Sequence, residues 1–172
     1  GGTGSTSYVW TTDGGLKACD HILFNNGKED ANGLEIGNGD QEFVFTGKQT
    51  LKKGTYLLKG WVYIGNGAQL TIEPGTIIKG DKASKGSLII TRGSKIFADG
   101  TPSQPIVFTS NEPAGSRTYG DWGGLVICGN APINDPAGEK VIEGGVDPVK
   151  GLYGGSNSSD NSGILRYVRI EF

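Results

Sequence analysis

Three aromatic residues, Tyr119, Trp122 and Tyr153, stand in or beside irregular, glycine-punctuated stretches of the chain. Planar side chains in such places can stack on sugar rings, which makes these three the candidate ligand-binding residues. Trp122 has a structural reading as well, because it precedes Gly123-Gly124 and can fold over a neighbouring element to seal its edge. Carboxylates offer a different chemistry. A glycosidase needs two of them about 5–9.5 Å apart. Glu73 and Asp99 occupy equivalent turns, where an ordinary turn role accounts for them equally well. Asp147, Asp160, Asn157 and Asn161 carry oxygens suited to calcium. The same residue types dominate ordinary turns, and no EF-hand or nonapeptide metal repeat is present, so no metal site is assigned.

His21 is the single histidine, and no nucleophile motif surrounds it, so a hydrolytic triad is rejected. Gly1-Gly2-Thr3-Gly4 precedes no helix and reads as a flexible terminus, not a phosphate-binding loop. No catalytic residue and no cofactor is therefore assigned. Cys19 and Cys128 are either two ordinary thiols or a bridge tying the N-terminal region to the rest, and their spacing fits no metal finger. A net charge of −2, with Lys and Arg scattered, provides no basic field for nucleic acid. The longest apolar runs, such as Leu125 to Cys128, are far short of the ~20 residues that span a bilayer. With no Met among its residues, the chain is expected to start either at a processed N-terminus or within a longer protein.

The elements that must position these residues are short strands. Of 172 residues, 31 are Gly, which disfavours helix and suits many tight corners. Val62-Tyr63-Ile64 through Gly67 to Leu70-Thr71-Ile72 is repeated by Leu88-Ile89-Ile90 through Gly93 to Ile96-Phe97-Ala98, at a constant offset of 26 (88−62, 93−67, 96−70). That spacing is the mark of a solenoid with one coil per repeat. Val62 and Ile64 should stack under Leu88 and Ile90, and Leu70 under Ile96. A further coil at Leu125 lies 37 residues beyond Leu88 (125−88), so about eleven residues have been inserted, at Asn111 to Gly120. Residues 134–162 form a second irregular stretch. Both are expected to be loops outside the coil that tolerate shortening.

Residues 1–48, with their Gly-, Asn- and Asp-rich turns, read as a flanking β segment that caps the first coil, and residues 49–172 as the coils themselves. Matched alternation predicts one continuous core of Val62, Ile64, Leu70, Ile72, Leu88, Ile90, Ile96, Ile106, Phe108, Leu125, Ile127, Val168 and Ile170.

The wording of the coils resembles a known family. Leu70-Thr71-Ile72-Glu73-Pro74-Gly75-Thr76-Ile77-Ile78-Lys79-Gly80, then Gly100-Thr101 with Pro105 to Ser110, then Gly120-Asp121-Trp122-Gly123-Gly124-Leu125, and finally Asp160 to Phe172 are similar to the right-handed parallel β-helix family of large secreted or surface-anchored bacterial proteins. The resemblance covers residues 50 to 172. It implies an all-β fold, a right-handed parallel β-helix, and a secreted or cell-surface location at the bacterial outer surface. The function expected is that of a non-enzymatic stalk, scaffold or adhesin working through loops 111–120 and 134–162. The alternative is a carbohydrate-binding or polysaccharide-degrading module. A glycan or another surface protein is the expected partner. Phe172 falls inside an alternating strand, so the last coil is expected to be covered by further coils or by another chain.

Overall fold

The computed structural model describes residues 29–30 and 33–172. Strand β1 (Glu29–Asp30) pairs antiparallel with β2 (Gly33–Ile36). The chain then runs through β3 (Phe43–Phe45), β4 (Lys48–Leu51), β5 (Thr55–Leu58), β6 (Trp61–Ile64), β7 (Gln69–Ile72), β8 (Ile77–Gly80), β9 (Ser87–Ile90), β10 (Lys95–Asp99), β11 (Ile106–Ser110) and β12 (Gly124–Ile127). A hairpin of β13 (Glu139–Val141) and β14 (Leu152–Gly154) follows, and then β15 (Gly163–Arg166) and β16 (Val168–Ile170). Three sheets result. The first is β1-β2-β5-β8-β11-β16, the second β3-β6-β9-β12 and the third β4-β7-β10-β15. Apart from β1, every neighbour in them is parallel. Successive strands visit the three sheets in turn, which is a parallel β-helix, and no helix occurs among the described residues.

Short strands form because apolar residues alternate with polar ones between glycine corners. Gly67 (φ 74°) and Gly93 (φ 80°) occupy equivalent corners with left-handed backbone. A Cβ at either would meet nothing within 4 Å, so backbone conformation, not crowding, calls for glycine there.

The register agrees with the repeat. Val62 pairs with Leu88 and Ile64 with Ile90, Leu70 with Ile96, and Leu88 with Leu125. The inward rows are Phe45–Ile64–Ile90–Ile127, Leu51–Ile72–Ala98–Leu165 and Leu34–Tyr56–Ile78–Phe108–Ile170. Val62, Ile64, Leu70, Ile72, Leu88, Ile90, Ile96, Ile106 and Phe108 are all at most 2% exposed, while Leu125 and Val168 pack partly buried against them.

Two of the core assignments need correction. Ile127 is 37% and Ile170 55% exposed. Both lie on the last rung, where no described strand stacks above them. The parallel stack also begins earlier than residue 49, because Leu34, Phe43 and Lys48 already pair with Tyr56, Val62 and Gln69. The rest of the flanking segment, Cys19 and His21 lie outside the described residues.

Burial sets the cost of substitution. Leu88→Ala, at a fully enclosed position, is expected to destabilise by about 2–5 kcal/mol in urea unfolding. Ile170→Ala, on the open rung, should cost under about 1 kcal/mol. Equal losses would contradict the stacking order.

Candidate functional site

The outward row of the second sheet is Val44–Tyr63–Ile89–Val126. Outward positions normally face water, yet Tyr63 and Ile89 are at most 2% exposed. The cover is the chain's own arm, the hairpin β13–β14 with its connecting turn. One arginine clasps the root of the arm. Arg92 Nη1 donates to Glu139 Oε2 at 2.7 Å and to the Gly154 carbonyl at 2.8 Å, and those two residues are cross-strand partners in the hairpin. The turn of the arm is closed by Asp147, whose Oδ1 accepts the amides of Val149 and Lys150, both at 2.9 Å. These amides hold the Asp147 carboxyl below its usual range, that of Lys150 most strongly. The Lys150 ammonium sits 5.0 Å from the centre of the Tyr63 ring, a cation–π contact that fastens the turn to the sheet. Beneath it the Tyr63 hydroxyl is buried, and burial raises its pKa while the Asp147 backbone amide opposes the rise.

Two grooves border this arm. The larger, of about 410 Å³, is formed by Val44, by Thr46, Asn66 and Arg92 at corners of successive coils, and by Val149 and Lys150 of the arm. The smaller, of about 230 Å³, lies between Trp61, Ile89 and Val126 of the sheet and Ile142 and Val146 of the arm. The arm therefore belongs to the folded unit more than a free loop does. It does lie outside the coil, but shortening it would strip cover from Tyr63 and Ile89, each worth about 1.5–3 kcal/mol when buried. That burial outweighs the small loop-closure terms that govern a solvated excursion.

The three aromatic candidates line neither groove. Trp122 is only 6% exposed. Its ring stacks on Phe108 with centroids 6.4 Å apart and planes 5° from parallel, and its indole N–H donates to the Glu171 carbonyl at 2.9 Å. The ring is thus packed into the core cluster beside Phe108, as an edge seal would be. Tyr119 is 90% exposed on the 111–120 excursion, and Tyr153 lies half-buried on β14.

The polar candidates are engaged in turns and rungs. Asp160 Oδ2 accepts the Asn130 amide, Asn157 Oδ1 that of Ser159, and Asn161 Oδ1 that of Gly163. Glu73 accepts the Lys53 amide at 2.9 Å and pairs with Lys52 at 3.1 Å. Asp99 receives a bidentate bond from Arg166, at 2.7 and 2.6 Å, across the β10–β15 rung.

Reasoning from sequence missed Arg92, Lys150 and Trp61. The available signal was Trp61-Val62-Tyr63-Ile64 and Leu88-Ile89-Ile90, apolar throughout instead of alternating, as strands covered on both faces are. Asp121 was missed too. Fully buried, it accepts from Ser110 Oγ at 2.7 Å and the Thr118 amide at 3.0 Å, and lies 3.2 Å from the Lys82 ammonium, pinning both ends of the 111–120 excursion.

The Ser110 hydroxyl above all, then the Thr118 amide, keeps the Asp121 carboxyl below its usual range against the opposing effect of burial, and Lys82 adds to the lowering. A carboxyl more acidic folded than unfolded contributes stability that is complete above about pH 5 and lost as pH falls through the folded value, below about pH 4. The melting temperature should therefore drop on acidification below about pH 4, and Asp121→Asn should lower it at neutral pH and flatten the acid limb. An unchanged acid limb in the variant would contradict this role.

No curated protein and no solved structure matches the chain. A family model described as a pectate-lyase-like β-helix domain matches residues 43–172, starting at the first strand of the second sheet. With three parallel sheets stacked in register over that span, the chain belongs to the pectate-lyase-like β-helix domain family.

Proposed function

We propose that the chain is a non-enzymatic scaffold, a stalk or adhesin of the secreted or cell-surface kind, whose contacts are made by the arm within residues 134–162 and by the 111–120 excursion. One observation carries this reading: both surface excursions are anchored to rigid rungs by charged clasps. Arg92 grips Glu139 and the Gly154 carbonyl, and Asp121 grips Ser110 and Thr118. In both, the charges hold backbone in place, as suits a surface presented to a partner. The carboxylates with hydrolytic or cation-binding potential, Glu73, Asp99 and Asp147, are likewise employed in turns and rungs. A glycan or another surface protein is the class of partner such a surface serves.

Glycan binding is the second reading. It is favoured by the 90% exposed ring of Tyr119 and by Trp61 in the smaller groove.

A panel of acidic and neutral polysaccharides tests both. The scaffold reading expects no release of reducing ends or unsaturated product on prolonged incubation, and steady product release would overturn it. Saturable binding weakened by Tyr119→Ala or Trp61→Ala would establish the second reading, and binding unaffected by either substitution would remove it.

A further inference from the structure

The larger groove has a chemical bias of its own. Arg92 and Lys150 are among the residues that line it, and no carboxylate is. Their ion-pair partners, Glu139 and Asp147, are not part of the lining, and Glu139 engages only Nη1 of the guanidinium. Arg92 and Lys150 are about a quarter to a third exposed, at 29% and 27% of their side-chain surface. They are partly desolvated, which strengthens their pull on an anion relative to cations in open water. The remaining character is aliphatic, from Val44 and Val149, the latter 75% exposed at the arm's edge, with Thr46 and Asn66 supplying hydrogen-bonding groups. No aromatic ring is present for a sugar to stack on.

Cations beside an aliphatic wall suit a ligand in which a carboxylate adjoins an aliphatic side chain. We propose that this groove binds an acidic peptide segment of that composition, part of a partner protein. The proposal rests on the scaffold reading and names the partner's chemistry. Its open form and its position between coil corners and arm leave a peptide free to enter from solvent.

The probe is a fluorescein-labelled, end-capped hexapeptide alternating glutamate and leucine, with a matched peptide carrying glutamine for glutamate. Anisotropy should rise saturably with the acidic peptide, fall with added salt, and show at least about tenfold weaker binding of the glutamine peptide. Arg92→Gln should weaken binding but also loosens the arm. The deciding variant is Val149→Glu, at an exposed position, which should weaken binding by about tenfold or more with an unchanged melting temperature. Absence of saturable binding, equal affinity for the two peptides, or indifference to Val149→Glu would overturn the proposal. Preference for an acidic oligosaccharide that competes at this groove would overturn it too, by assigning the site to another class. Failure here is separate from failure of the scaffold reading, which turns on product release from polysaccharides.

Discussion

Backbone hydrogen bonds in this molecule run along the axis of the stack, from each rung to the next. Each inward side chain therefore sits directly over its counterpart, and every rung must offer matched apolar groups at the same positions. Val62 over Leu88, Ile64 over Ile90, and Leu70 over Ile96 are the result. A slip of one residue would turn a whole strand's apolar set to water and its polar set into the bore. The stack is consequently stiff and tolerant of change only at corners, which is where both insertions occur. The 111–120 excursion leaves after β11 and returns before β12, and the arm leaves after β12 and returns before β15, with the rungs on either side still in register.

Insertions on such a scaffold are free to acquire their own attachments, and the two here do so differently. The first is held by one buried carboxylate, Asp121, with Trp122 beside it filling the space over Phe108. The second is held by Arg92 and by apolar contact with the outer face of the second sheet. The arm replaces water over Tyr63 and Ile89 but leaves a groove on each side. The apolar area beneath the arm holds it to the sheet, and the polar edges of the grooves remain open to other molecules.

Much of the coil was legible from residues 62–109, because two copies share one period and the same glycine corners. The rungs before residue 52 were not. Phe43 pairs with Val62 at an offset of 19 (62−43) and Lys48 with Gln69 at 21 (69−48), against 26 for the next pair of rungs, so no constant period joins them. Shorter corners between the same strands produce that compression. The site was less legible still. Arg92 and Lys150 are 58 residues apart (150−92) and meet only because the arm folds back across sheet strands that precede it by several coils. Trp122 was readable as a seal from its glycine neighbours. The buried carboxylate of Asp121 was not, since its partners Ser110, Thr118 and Lys82 are scattered over three segments.

Rung-by-rung hydrogen exchange tests the stacked register most directly. In the 172-residue chain, amides of β6, β7, β9 and β10, each paired on both sides, should exchange slowest, together with those of β5, β8 and β11. Amides of β12, β15 and β16, paired on one side among the described residues, should exchange orders of magnitude faster by local opening. The account predicts a graded profile with its maximum in the middle rungs. Uniform protection across all rungs, or fastest exchange in β6 and β9, would contradict it.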